Sequence, residues 1–248
     1  IVKVTINATG YKELKYKITD PRFRAVPGKA NEFTWYTHFR NAGIHSFTAV
    51  VTDAANLNSA MQFNITVLDA NDDCSLYPNR IANGCSVYKN ITFPQGEHYV
   101  PQGIHIVADD VVVDFNGATM QGNGYGRING IRIKNHNKVT IKNGKVKNYF
   151  IGINISQSNN NSILNMQSVN PDWGNYGIHL TNSDNNLLAE SVFSNNFDTG
   201  IVLINSSGNL IKNNEANNNG NKAGILLRAG SNKNVIKNNT VNDNGYGG

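Results

Sequence analysis

The sequence predicts an all-β chain, a small β-sandwich followed by a three-sided parallel β-helix. Two observations predict it. From Gly103 onward one short pattern, Gly-Ile-x-Ile or a near variant, returns at Gly103, Gly130, Gly152, Gly177, Gly200 and Gly224, with gaps of 27, 22, 25, 23 and 24 residues. A period in the twenties marks one supersecondary unit stacked along an axis. Before residue 74 the chain instead alternates polar and apolar residues between turn signals, and no segment has a helical period.

Residues 1–73 carry five strand-like runs, Ile1–Ile6, Leu14–Ile18, Glu32–Thr37, Ser46–Thr52 and Ala60–Leu68. Pro21, Pro27-Gly28, Asn41-Ala-Gly43 and Asp53-Ala-Ala-Asn56 separate them as turns. A sandwich wants about seven strands. The domain therefore reads as short, with the chain starting mid-domain or a strand supplied from elsewhere, including a neighbouring molecule.

Residues 74–102 hold three prolines and the only two cysteines, Cys74 and Cys85. The segment lacks the His or second Cys pair of a zinc site, so a local disulfide is the first reading, with free thiols as the alternative. A disulfide would place the protein outside a reducing cytoplasm. The segment is expected to cap the solenoid, whose first apolar layer cannot face water.

Residues 103–248 form the repeats. Each Gly-Ile-x-Ile strand is followed by a polar turn and a second apolar pair: Val139/Ile141, Ile163/Leu164, Leu187/Leu188, Leu210/Ile211 and Val235/Ile236. A third short strand follows, as in Lys145-Val-Lys147 and Ser191-Val-Phe193. The chain has 43 asparagines, 33 of them from Ile104 onward. Asn accepts left-handed backbone, which predicts many stacked tight turns. Asn137, Asn161, Asn186, Asn209 and Asn234 recur between the first and second strands and are expected to form an amide ladder. The repeats stop at Gly248 without a capping segment, so self-association or a neighbouring domain is expected to cover that end.

Net charge is +5 and the pI about 9.1, but the lysines are scattered, without a Lys/Arg run. That speaks against a nucleic-acid partner and leaves an envelope glycan as a candidate. No stretch approaches the ~20 apolar residues of a membrane-spanning helix.

Two resemblances add to this reading. Val111-Val-Val-Asp-Phe-Asn-Gly117, Gly122-Asn-Gly124 and the Gly-Ile-x-Ile…Asn-x-x-Val/Ile-x-Asn-Asn units resemble right-handed parallel β-helix repeat proteins. These are the pectate-lyase-like repeats also found in carbohydrate-binding and sugar-hydrolase domains of the periplasmic copper-protein type. The resemblance implies a right-handed β-helix but little about activity, because that group includes lyases, hydrolases, epimerases and non-catalytic surface proteins. Gly43-Ile-His-Ser-Phe-Thr-Ala-Val-Val-Thr-Asp53 and Phe63-Asn-Ile-Thr-Val-Leu-Asp-Ala-Asn-Asp72 resemble the last strands of cadherin-like and immunoglobulin-like domains. In those domains an Asp-x-Asn-Asp linker helps bind calcium, which implies a structural calcium at Asp69, Asn71 and Asp72; no other cofactor is expected. The pairing of such a domain with a β-helix is similar to modular cell-envelope proteins, notably of archaea.

Candidate site residues follow from the repeat. The variable position of the first strand reads Arg132, Asn154, His179, Val202, Leu226, and the next outward column Lys134, Ser156, Thr181, Ile204, Arg228. Aromatics precede several of the glycines, among them Tyr149, Trp173, Tyr176 and Phe197. With Arg132 they would form a carbohydrate-binding face, because aromatic rings offer flat apolar area to a sugar. Glycoside cleavage wants two carboxylates ~5–9 Å apart. Only Asp172 and Asp198 occupy neighbouring coils, with His179 nearby, so no catalytic set is expected. N-glycosylation sequons occur at Asn7, Asn64, Asn90, Asn154, Asn160, Asn205 and Asn238. The first expectation is therefore a non-catalytic extracellular structural protein: a segment of a surface layer, sheath, filament or adhesin. The alternative is a polysaccharide-binding or polysaccharide-degrading β-helix.

Overall fold

The structure is a computed structural model that describes residues 2–8, 13–35, 43–67, 73–170 and 176–245. The chain divides into two compact units, 1–71 and 72–248.

Among the described residues of the first unit, six strands form two three-stranded antiparallel sheets. They are β1 (Val2–Thr5), β2 (Lys15–Ile18), β3 (Arg24–Val26), β4 (Lys29–Trp35), β5 (Gly43–Thr52) and β6 (Asn58–Val67). The sheet orders are β1-β4-β3 and β2-β5-β6. Alternation buries Phe33 and Trp35 from one sheet and Ile18, Phe47 and Ala49 from the other in one core, which Phe23 joins. Aromatic edges organise that core: Phe23 meets Phe47 at 5.0 Å between ring centroids, and Trp35 meets Phe47 at 5.5 Å. The Arg22 guanidinium lies 4.8 Å from the Trp35 ring centre and is held by Asp20 at 2.8 Å. Arg24-Ala-Val26 is a strand that the sequence reading passes over; it reaches β4 through the Pro27-Gly28 turn.

The second unit is a parallel solenoid. Its first sheet stacks seven strands in parallel: Ser86–Val87, Ile104–Ile106, Asn129–Lys134, Ile151–Ser156, Tyr176–Thr181, Thr199–Ile204 and Ile225–Arg228. The second sheet stacks Ile91–Thr92, Val112–Asp114, Thr140–Lys147, Ser162–Val169, Leu187–Ala189, Leu210–Lys212 and Val235–Lys237. A third sheet begins with Glu97–Tyr99 and Thr119–Gln121 and continues on the later halves of Thr140–Lys147 and Ser162–Val169. Beyond that it narrows to single bridges, Gln167 to Val192 to Glu215 to Thr240. The short strands within residues 86–99 already pair in register with all three sheets, so the segment expected to act as a cap also contributes a coil of its own. Cys74 and Cys85 are joined by a disulfide at the start of this unit.

The register follows from the repeat. Ile104, Ile131, Ile153, Ile178, Ile201 and Ile225 form one column of the first sheet, and Ile106, Ile133, Ile155, Leu180, Leu203 and Leu227 the next. The middle members of both columns are fully buried. Each such side chain contributes about 1.5–3 kcal/mol by leaving water, so the stack of coils forms one continuous core.

Asparagine supplies the corners. Asn116, Asn143, Asn165, Asn213 and Asn238 all have positive φ where the second sheet turns into the third, and Glu190 takes the same conformation in their row. Inside the turn between the first and second sheets, the Asn161 N–H donates to Asn186 Oδ1, Asn186 N–H to Asn209 Oδ1, and Asn209 N–H to Asn234 Oδ1, each at 2.8 Å. The column begins at Val139, whose N–H donates to Asn161 Oδ1 at 2.9 Å. Asn137, expected in this ladder, belongs to the adjacent one and accepts from the Asn159 N–H at 2.7 Å. The reason is a spacing of two residues: Val139 already fills the ladder position in that coil. A second buried ladder, Asn170, Asn196, Asn219 and Asn244, closes the turn back into the first sheet.

Candidate binding face on the first sheet

The outward column of the first sheet reads His105, Arg132, Asn154, His179, Val202, Leu226 in successive coils, with Lys134, Ser156, Thr181, Ile204 and Arg228 beside it. Parallel pairing sets these side chains about 4.8 Å apart along the axis. The first of these columns thus changes from basic and amide groups in the early coils to apolar ones in the later coils, while the column beside it ends in the exposed Arg228.

Its centre is the pair Tyr176 and His179. Their rings stack at 5.1 Å with planes 25° apart. The His179 Nε2 atom is buried and has no hydrogen-bond partner among the described residues. Desolvation pushes the imidazole below its ordinary pKa, which keeps it neutral. One coil on, Phe197 is about half exposed, at 46%. Next to it Asp198 is almost buried, and its carboxylate accepts from Lys222 Nζ at 2.8 Å and from Thr199 Oγ1 at 3.1 Å. The hydrogen bond to Asp198 raises the Lys222 pKa.

The structure separates the residues expected to form the carbohydrate face. Tyr176, Phe197 and Arg132 lie on or beside it and are at least partly exposed. Tyr149 does not join them. It is 2% exposed, and its hydroxyl donates to the Val100 carbonyl at 2.8 Å. The ring fills the space above Gly122 and Gly130, where an added Cβ would come within 2.8 Å of it. Trp173 and Asp172 lie outside the described residues, as do Asp69, Asn71 and Asp72. Of the catalytic candidates, Asp198 is committed to a lysine and a threonine, and His179 to a stack. Lys222, which sequence reasoning missed, comes to Asp198 because the two occupy consecutive coils; the 24-residue offset, equal to one repeat, was the available signal.

The sequons sort by backbone role. Asn7, Asn64, Asn90, Asn160 and Asn238 are exposed. Asn154 sits in the outward column between Arg132 and His179, and Asn205 donates its Nδ2 to Asn182 Oδ1 at 2.6 Å in an exposed ladder.

Residues 102–248 match the family model described as periplasmic copper-binding protein (NosD). No curated protein matches the chain. Among solved structures, the catalytic domain of a GH87 alpha-1,3-glucanase in complex with nigerose is similar over 91% of this chain and 52% of that one, at 14% identity and a TM-score of 0.44. A variant of the same domain, also with nigerose, covers 86% of this chain and 53% of that one, at 13% identity and a TM-score of 0.38. The chain spans about half the length of those catalytic domains.

Proposed function

The chain belongs to the NosD family, and from that premise we propose that it is a non-catalytic polysaccharide-binding solenoid of the cell envelope or the space outside it. The observation that carries this reading is the stacked Tyr176–His179 pair on a sheet face that also offers Arg132, Asn154 and Ser156, with the exposed Phe197 in the turn that leads into the next coil's strand. Aromatic area beside hydrogen-bonding groups, repeated along an open face, suits an extended sugar chain. The Cys74–Cys85 disulfide and the periplasmic family description both support a compartment outside a reducing cytoplasm.

Binding without cleavage is the better fit to the carboxylates. Asp198 is engaged by Lys222 and Thr199, so it is poorly placed to give or take a proton at a glycosidic oxygen. The reading of a purely structural envelope subunit, first in order from the sequence, has less support in the geometry, since it gives no role to an exposed aromatic face.

The family description names copper, and the residues present do not fit it. Copper sites draw on thiolate, thioether and imidazole donors. Both cysteines are consumed in the disulfide, Met120 and Met166 are buried in the solenoid core, the exposed Met61 belongs to the other unit, and no three His, Cys, Asp or Glu come together among the described residues.

The N-terminal unit is read as an immunoglobulin- or cadherin-like module, supported by its two antiparallel sheets and aromatic core. On that reading Asp69, Asn71 and Asp72 hold calcium, and a chelator lowers the unit's melting temperature; an unchanged melt with chelator rejects the ion.

The binding proposal is tested by affinity electrophoresis through gels containing neutral or acidic polysaccharides. Retardation by at least one polysaccharide is expected, weakened by Phe197→Ala and by Tyr176→Ala. Each lost stacking contact corresponds to about 0.5–1.5 kcal/mol, roughly a 2- to 13-fold loss of affinity. Unretarded migration in every gel would overturn the reading.

A further inference from the structure

A second feature of the solenoid lies on a different side, where the second sheet turns into the third. The corner asparagines with positive φ kink the chain there and leave a groove of about 360 Å3 lined by Gly117, Thr119, Asn143, Lys145, Asn165 and Gln167. That volume falls within the range of ligand pockets, about 300–1,000 Å3. Its two banks are both built as ladders. On one, Asn165 Nδ2 donates to Asn143 Oδ1 at 3.0 Å, and Asn143 Nδ2 donates to Asp114 Oδ1 at 3.1 Å. On the other, Thr119, Lys145 and Gln167 are register partners in three successive coils. The inward neighbours of that bank, Met120, Val146 and Ser168, are fully buried, so the bank itself faces out.

The groove is lined by amides, a hydroxyl, two glycines and one ammonium, that of Lys145. Lys142 is paired with Asp114 at 3.2 Å, Lys145 has no ion pair among the described residues, and the exposed carboxylate of Glu190 follows Asn165 in the corner row. Amides and a hydroxyl both donate and accept, which suits the hydroxyl groups of a sugar, and the single ammonium adds a further donor.

The spacing decides what kind of chain fits. Both banks repeat once per coil, about 4.8 Å along the axis. An extended peptide presents same-face groups every two residues, about 6.8 Å, and loses register after one or two coils. A ribbon-like β-1,4-linked glycan turns over at each sugar, so its same-face hydroxyls return every second sugar, close to the rise of two coils, and stay in register with alternate rungs; a coiled α-1,4-linked glycan advances by less per sugar and does not. We propose that this corner groove binds an extended β-1,4-linked glycan running along the solenoid axis, with its hydroxyls hydrogen-bonded to Asn143, Asn165, Lys145 and Gln167. The groove is separate from the first-sheet face, and the proposal rests on the polysaccharide reading only for the class of ligand.

The experiment titrates the whole chain with cellohexaose and with maltohexaose, followed by the side-chain amide NMR signals of Asn143, Asn165 and Gln167. Cellohexaose is expected to shift those signals at concentrations where maltohexaose does not. Lys145→Ala and Gln167→Ala, whose side chains stand outside the core, are each expected to raise the cellohexaose Kd at least fivefold with the melting temperature unchanged. Phe197→Ala leaves the groove signals responding as before. Cellohexaose binding that is lost in Phe197→Ala but untouched by the groove variants overturns the groove and leaves the first-sheet reading standing. Equal response to both hexasaccharides overturns the register argument, and no response to either overturns the groove outright.

Discussion

A glycine stands before each Ile-x-Ile strand because no other residue fits. A Cβ built on Gly177 would lie 2.6 Å from the Gly200 carbonyl oxygen one coil on, and one built on Gly152 would lie 1.8 Å from Ser168 Oγ. The coils approach so closely at this point that the motif is a packing requirement. Gly177→Ala is therefore expected to destabilise the solenoid by about 1–3 kcal/mol or more, read as a fall in the denaturant midpoint. His179 gives a second test at the same scale. Burial lowers its folded pKa below that of an ordinary histidine, so the neutral form is favoured on folding. The sign is that of a depressed base: its contribution is complete above the unfolded pKa and is lost as pH falls through the folded one. NMR titration should show His179 protonating at lower pH than an exposed histidine, and Tyr176→Ala, which opens the stack, should move it back upward.

Strands and ladders are where sequence and structure agree most closely, and where the limits of reading show. The Ile columns were legible because one period and one alternation fix which side chains point inward. Stacked asparagines were legible as a composition and only partly as a register. Asn137 and Val139 differ by two positions, a shift that no periodicity resolves and that the hydrogen bonds decide. Tyr149 was legible as an aromatic next to a turn, but its direction depends on the space above Gly122 and Gly130, glycines that lie 27 and 19 residues away in sequence. Arg24–Val26 was too short to signal a strand until its partner β4 was known. The buried ladder carries its own prediction. Asn196 Oδ1 accepts from both the N–H and the Nδ2 of Asn170, at 3.1 and 3.0 Å. Asn196→Ala leaves the Asn170 N–H unpaired inside the core, while Asn170 Nδ2 keeps its bond to Ser168 Oγ at 3.1 Å; the unsatisfied N–H alone is a loss of about 1–3 kcal/mol. Hydrogen exchange at the Asn170 amide should accelerate more than at Asn161, which belongs to the other ladder and serves as the control.

At the scale of the molecule, a stack of coils makes every outward column a row of regularly spaced groups, and function is a matter of what those rows carry. The first sheet carries an aromatic pair and a run of polar side chains, and the turn leading into it carries an exposed phenylalanine. It does not carry a free carboxylate pair among the described residues, because Asp198 is held by Lys222. The family description names copper, and among the described residues no three His, Cys, Asp or Glu come together. Adding Cu(I) or Cu(II) to the oxidised protein is expected to leave its melting temperature unchanged, since a ligand that binds the native state raises it. A concentration-dependent rise would show donors that this account has not found.

The central claim is that this solenoid holds a polysaccharide on its first-sheet face and does not cut it. The most direct measurement is one incubation of the protein with soluble neutral and acidic glycan fragments, read both by calorimetric titration and by release of new reducing ends. The account predicts heat of binding with at least one fragment, a weaker Kd in Phe197→Ala, and no reducing ends released above the protein-free control. Turnover that disappears in Asp198→Asn, or an absence of binding across all fragments, would contradict it.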